Sequence, residues 1–136
     1  MRVGIPGVSE NIRVRSIVGN FLEHSRIFYF ENAGLPEIYM GSADWMPRNL
    51  ERRVEILFPV EKEELKARIM HILNCQLKDN VKANILTKDN VYEKVDKRGK
   101  KAYDSQEAFC LEAIQTAKEK KDDYHKRVFI PETHIV

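Results

Sequence analysis

Helical and extended patterns mixed along one short chain predict an α/β or α+β fold, with one layer of mixed sheet and helices packed on it. Three observations point there. The stretches His24–Glu31 and Glu37–Ser42 alternate around the turn residues Asn32, Gly34 and Pro36 and read as a hairpin. Arg53–Val60 reads as a third strand closed by Pro59. Leu65, Ile69, Ile72, Leu73 and then Gln76 or Leu77 recur on one helical face.

The elements follow in order. Met1–Asn11 holds Gly4, Pro6 and Gly7 and reads as loop; its abrupt basic and apolar start predicts a domain cut from a longer polypeptide. From Ile12, the spacing of Val14, Ile17, Val18 and Phe21 predicts a helix capped by Asn11, although Gly19 weakens it. After the hairpin, Asp44 is a candidate cap for a short helix through Pro47 to Arg52, with proline tolerated near its start. Glu61, Glu63 and Glu64 favour a helix N-terminus, and Asn80 ends that helix. Lys82–Thr87 is a short strand, and Val91–Tyr103 a small hairpin around Asp96–Gly99. Asp104 and Glu107 form a capping box for a last helix running to about Lys118. Residues 1–120 are read as one domain and 121–136 as a C-terminal tail.

With 136 residues, 43% hydrophobic and 32% charged, the chain can pack a core and is not a disordered segment. Its 23 Lys+Arg against 21 Asp+Glu leave a net charge of +2, so phosphate binding has to come from local placement. No apolar run approaches the ~20 residues of a membrane span, and the N-terminus lacks a signal-peptide pattern. Cys75 and Cys110 have no metal-ligand spacing and read as reduced thiols. The composition therefore predicts a cytoplasmic protein.

Chemistry concentrates between His24 and Glu55. In a strand, His24, Arg26, Phe28 and Phe30 share one side, so imidazole and guanidinium stand about 7 Å apart, with room for a phosphate between them. Imidazole can shuttle a proton or attack phosphorus, and guanidinium donates two parallel hydrogen bonds to phosphate oxygens. Taken alone, the two residues read better as an ordinary surface pair at a strand end. Gly41-Ser42-Ala43-Asp44 ends the neighbouring strand; Ser42 can donate to a phosphate, or the segment can simply lead into a helix. Arg48, Arg52 and Arg53 cluster, with Arg53 and Glu55 on one strand face and Val54, Ile56 and Phe58 packed on the other. Arg53 adds positive charge to the same phosphate, and Glu55 can orient an imidazole. His71 reads as a boundary residue of its helix. Lys97–Lys101 and Lys118–Lys121 lack interleaved aromatics, so they are solvated faces and no nucleic-acid partner is expected.

His24-x-Arg26, a five-residue step to Glu31, then Gly41-Ser42-x-Asp44 resembles a variant of the phospholipase D signature. Arginine replaces its lysine, glutamate its aspartate and Asp44 its asparagine, which counts against simple phospholipase or nuclease activity. The longer string is more specific. Gly4-Ile5-Pro6-Gly7-Val8-Ser9-Glu10-Asn11-Ile12, Phe21-Leu22-Glu23-His24-Ser25-Arg26, Gly41 to Leu50 and Arg52-Arg53-Val54-Glu55 resemble the C-terminal catalytic domain of the polyphosphate kinases that work through a phosphohistidine. The likeness is dense to about Pro59 and looser to about Lys118.

That resemblance implies a phospholipase D-like fold and reversible transfer of the terminal phosphate of ATP to inorganic polyphosphate, with Mg2+ arriving on the nucleotide. It implies that the phosphorylated histidine lies in a preceding domain, and that the remaining domains of the same chain complete the enzyme, as a homo-oligomer with possible peripheral membrane contact. By position, His24 matches the second histidine, which faces the nucleotide phosphates, and Arg53 a phosphate-contacting arginine. A basic residue just upstream of the Gly4 loop is expected to lie outside this chain. Asp44 and Trp45 are assigned to structure. An exposed apolar patch beside an open basic surface is expected where the partner domain docks. Two alternatives stay open: a phosphodiesterase completed by homodimerisation, and a non-catalytic polyanion-binding module.

Overall fold

The structure, a computed structural model, describes residues 2–124. In chain order the elements are β1 (Arg15–Ile17), β2 (Ile27–Phe30), a 3-10 turn (Asn32–Gly34), β3 (Glu37–Gly41), α1 (Pro47–Arg52), β4 (Leu57–Pro59), α2 (Glu63–Lys78), β5 (Ala83–Leu86), β6 (Tyr92–Lys94) and α3 (Ser105–Tyr124). The mixed α/β class holds, but the single mixed layer does not. Among the described residues there are two three-stranded antiparallel sheets, ordered β1-β5-β6 and β2-β3-β4. The reason is topological. β1 pairs with β5, beyond α2 in sequence, while residues 18–26 cross to the second sheet, whose strands follow one another as antiparallel neighbours.

The helix expected from Ile12 is β1 instead. Val14, Ile17 and Val18 are branched at Cβ and suit an extended backbone, and β5 supplies the ladder, with Arg15 opposite Ile85 and Ile17 opposite Ala83. The hairpin forms as read, with Phe28 opposite Tyr39 and Phe30 opposite Glu37. The third strand is shorter than its pattern: only Leu57–Pro59 pairs, and Arg53 is the extended residue that closes α1. Val54 is therefore 99% exposed rather than packed. Asp44 does not cap α1. Met46 holds that position, Pro47 starts the helix, and the Asp44 carboxylate is taken by Arg26. The small hairpin also shifts: β5 and β6 turn through Asp89 and Asn90, and Asp96–Gly99 turns afterwards without a returning strand. The chain beyond it is claimed by Asn80, whose side chain accepts from Tyr103 N at 2.8 Å and donates to the Lys101 carbonyl at 2.9 Å.

α2 lies on one face of β2-β3-β4. Ile38, Val60 and Ile69 are buried there, with Ile27, Met40, Met70 and Leu73 packed around them. Each buried aliphatic contributes about 2 kcal/mol, so three central side chains make a thin core. Polar bonding reinforces it. The Asp79 carboxylate, fully buried at the end of α2, accepts from the amides of Val81 (3.0 Å), Lys82 (2.8 Å), Ala83 (3.1 Å) and Ser105 (2.8 Å) and from Ser105 Oγ (2.9 Å). One side chain thus joins α2, β5 and α3. Asp104 caps α3, accepting from Gln106 N at 3.0 Å and Glu107 N at 3.2 Å, while among the described residues the Glu107 side chain makes no return bond that would complete the box. The helix runs on to Tyr124, past Lys118; the rest of the tail lies outside the described residues. Among the described residues no helix is long and apolar enough to cross a membrane.

Candidate functional site

His24 and Arg26 do not sit in the strand itself. β2 begins at Ile27, and the two residues occupy the end of the segment that crosses between the sheets, although Gly41 N still donates to the Arg26 carbonyl at 3.0 Å. Alternation within a strand is thus not what aims the two side chains. Arg26 bridges locally: its guanidinium donates to the Asp44 carboxylate and to the His24 carbonyl. Two of its nitrogens are engaged inside the chain, so Arg26 binds the loop after β3 to the loop before β2. A bidentate grip on phosphate requires that pair to open.

Ser42 is engaged as well. Its hydroxyl donates to the Glu55 carboxylate and accepts from Ile56 N at 3.0 Å, which ties the end of β3 to the approach of β4. Glu55 therefore orients Ser42 and, among the described residues, makes no bond to an imidazole. By contrast, the side chains of His24, Arg48 and Arg53 are exposed and make no hydrogen bond or ion pair among the described residues. Sequence reasoning missed Asn49, which is buried in α1 and donates from Nδ2 to the Asp44 carbonyl at 3.2 Å, steadying the partner of Arg26. It also passed over the closure of the loop that opens the chain. Gly4 and Gly7 hold φ of 70° and 72°, a region that suits glycine. Ser9 closes their loop, accepting from Ile5 N at 3.1 Å and donating to the Arg2 carbonyl at 2.8 Å. The Gly-x-x-Gly-x-Ser spacing was the available signal.

Around these groups the surface is apolar. Trp45 is 77% exposed and stacks on Phe28 at 6.0 Å between ring centroids. Phe30 meets Tyr39 edge-on at 6.0 Å. Phe28, Phe30, Tyr39 and Leu57 lie on the face of the sheet turned away from α2, and Leu50, Val54 and Ile56 stand exposed nearby in sequence. An antiparallel sheet that faces water on one side alternates apolar with polar residues. These strands are apolar on both faces, the pattern of a sheet covered on both. The expected apolar patch is present.

Elsewhere, His71 sits between α2 and α3, 2.9 Å from the Glu112 carboxylate and edge-on to Phe109, a boundary residue as read. Cys75 is buried, Cys110 exposed, and both are free. Among the described residues no group of three His, Cys, Asp or Glu side chains is placed to hold a metal ion.

The fold is a mixed α/β unit of the phospholipase D-like kind, with the His24, Arg48 and Arg53 side chains each exposed. The comparisons give the family. A family model described as "Polyphosphate kinase C-terminal domain 2" matches residues 1–106, and the chain belongs to the polyphosphate kinase family. It is 52% identical over 118 residues to a polyphosphate kinase of Lactiplantibacillus plantarum, covering 87% of this chain and 16% of that protein. A polyphosphate kinase of Bacillus anthracis is 56% identical over 106 residues, 78% of this chain and 15% of that protein. The crystal structure of polyphosphate kinase from Porphyromonas gingivalis superposes with a TM-score of 0.72 at 36% identity, over 86% of this chain and 18% of that one. The chain thus spans about one-sixth of the length of these relatives.

Proposed function

We propose that this chain forms part of the catalytic centre of a polyphosphate kinase, which reversibly transfers the terminal phosphate of ATP to inorganic polyphosphate through a phosphohistidine outside this chain. One observation carries the reading: within a family of such kinases, His24 stands exposed and unengaged beside the Arg26–Asp44 pair, on a face bordered by bare apolar side chains. Phosphoryl transfer needs positioning and positive charge on the equatorial oxygens more than elaborate covalent chemistry. His24 faces the nucleotide phosphates and holds or delivers a proton there. Arg53 supplies charge, Arg48 adds to it, and Ser42 and Arg26 join once their carboxylate partners are displaced by phosphate. Asp44 and Glu55 hold those donors in place until then.

The remaining domains of the polypeptide cover the apolar rim and exclude water. Magnesium would be held mainly by the nucleotide's own phosphate oxygens, since among the described residues no group of three His, Cys, Asp or Glu side chains is placed to hold it. An ATP substrate favours the cytoplasm, and the reading extends to a homo-oligomeric complete enzyme without a nucleic-acid partner. The test is an NMR titration of the His24 ring with magnesium-ATP, tripolyphosphate and a single-stranded DNA oligomer. A response to the first two but not to DNA supports the reading. An equal response to DNA marks a general polyanion module. A symmetric dimer with slow phosphodiester hydrolysis marks a phosphodiesterase.

A further inference from the structure

Residues 18–26 link the two sheets and carry His24 near their end, yet burial does not hold them. Val18 is 72% exposed, Phe21 61% and Leu22 87%. A segment whose apolar side chains point outward gains little from the hydrophobic effect, so something else fixes it. Gln106, only 8% exposed in the first turn of α3, does so. Its Oε1 accepts from Asn20 N at 2.8 Å and Phe21 N at 3.1 Å. Its Nε2 donates to the Phe21 carbonyl at 2.8 Å and to the Glu23 carboxylate at 2.9 Å. The other Glu23 oxygen accepts from Gln76 Nε2 at 2.6 Å. Two amide donors on one side and two acceptors on the other settle which end of the Gln106 amide is oxygen.

From this geometry we propose that Gln106 is the positioning residue for His24, gripping the crossing segment from Asn20 to Glu23 so that the imidazole leaves at a set place and angle. The inference rests on the role of His24 proposed above. Gln106 is itself well seated: its own amide is held by Asp104, and the preceding Ser105 is held by buried Asp79. The grip requires glutamine chemistry. Glutamate keeps the acceptors but loses both donors and sets a second carboxylate against Glu23. Leucine loses all four bonds. Gly19 completes the fit, since a Cβ built there would stand 2.1 Å from Gln106 Oε1. Glycine at this position serves close approach, not an unusual backbone angle.

The test uses the chain by NMR, following amide exchange at Asn20 and Phe21, the His24 ring signals, and the tripolyphosphate titration at His24. Gln106→Leu is expected to speed exchange at both amides by about tenfold or more, as a lost pair of partly buried hydrogen bonds would. It is also expected to move the free His24 ring signals and weaken the tripolyphosphate response by about threefold or more, with core amides of α2 still protected. Gly19→Ala gives the same signature by steric displacement. In a Gln106→Ala background, Gly19→Ala adds little further, because its clash partner is gone; that non-additivity isolates the pair. Should Gln106→Leu unfold the chain, Gln106→Glu retains the two acceptor bonds and reads the same signals at intermediate size. Unchanged exchange at Asn20 and Phe21 overturns the proposal. So does faster exchange with His24 signals unmoved, which would leave Gln106 a structural residue only. A wild-type chain whose His24 ignores tripolyphosphate defeats the functional reading instead, and the grip is then judged on exchange and the free ring signals alone.

Discussion

The Asp79 junction and the His24 face use the same polar chemistry to opposite ends. At Asp79, a fully buried carboxylate meets five donors from the loop after α2, from β5 and from α3, and each bond is made within the chain. Around His24, side chains are either unengaged among the described residues, as His24 and Arg53 are, or held by partly exposed neighbours, as Arg26 is by Asp44 and the His24 carbonyl and Ser42 by Glu55 and Ile56 N. Buried polar groups must be satisfied at once because water cannot serve them. Exposed ones can wait for a phosphate. The contrast separates the part that holds this chain together from the part that faces a ligand.

Losing His24 should have the largest effect. With this chain in place of the matched segment of a full-length polyphosphate kinase, His24→Ala is expected to cut transfer to polyphosphate by about a thousandfold, within the span of general acid–base contributions. The unfolding midpoint of the chain should stay unchanged; a large drop would show that the two regions are not separable. Asp79→Asn should do the reverse, costing about 3 kcal/mol in urea unfolding, because hydrogen bonds to a buried charge are lost and an amide NH2 meets donors.

The Asp79 carboxyl also makes a pH signature. Burial pushes its pKa up, but the hydrogen bonds from Ser105, Lys82 and Val81 outweigh that and hold it below the ordinary carboxylate value. A group lowered in the folded state stabilises fully above its unfolded pKa of about 4 and loses that contribution as pH falls through the folded value. Urea midpoints should therefore drop below that pH in the wild type and drop less in Asp79→Asn. Equal acid sensitivity would assign the effect to other carboxylates.

Smaller effects sharpen the comparison. Arg53→Ala should weaken tripolyphosphate binding by about tenfold, the scale of one charge-assisted contact, and the loss should shrink as salt rises. At the low end, Val54→Ser should leave the stability of the chain within about 0.5 kcal/mol, since a fully exposed side chain loses no packing. A clear destabilisation would mean that the apolar rim is covered within this chain.

Much of this was legible from residues. The hairpin of β2 and β3 followed from alternation broken by Asn32, Gly34 and Pro36, a local signal. α2 followed from the Leu65–Ile69–Leu73 stripe, and the start of α3 from Asp104, whose cap needs only the next turn. β1 was misread because Val14, Ile17 and Val18 satisfy helical spacing as well as strand propensity, and the deciding partner, β5, lies more than sixty residues away. The strand reading of His24 and Arg26 failed for a related reason: pairing stops at Ile27, and backbone alternation stops with it.

Motif and chemistry were readable from the string itself, since His24-x-Arg26 and Gly41-Ser42-x-Asp44 are patterns of residue type and spacing. The apolar rim was not, because Val54, Ile56 and Phe58 read as the packed face of a strand and are exposed instead. Only the folded chain decided which of those groups are free. The engagement of Arg26 by Asp44, of Ser42 by Glu55 and of the His24 segment by Gln106 joins residues 13 to 86 positions apart. Such bonds depend on where three-dimensional packing brings side chains together, and no local propensity encodes that.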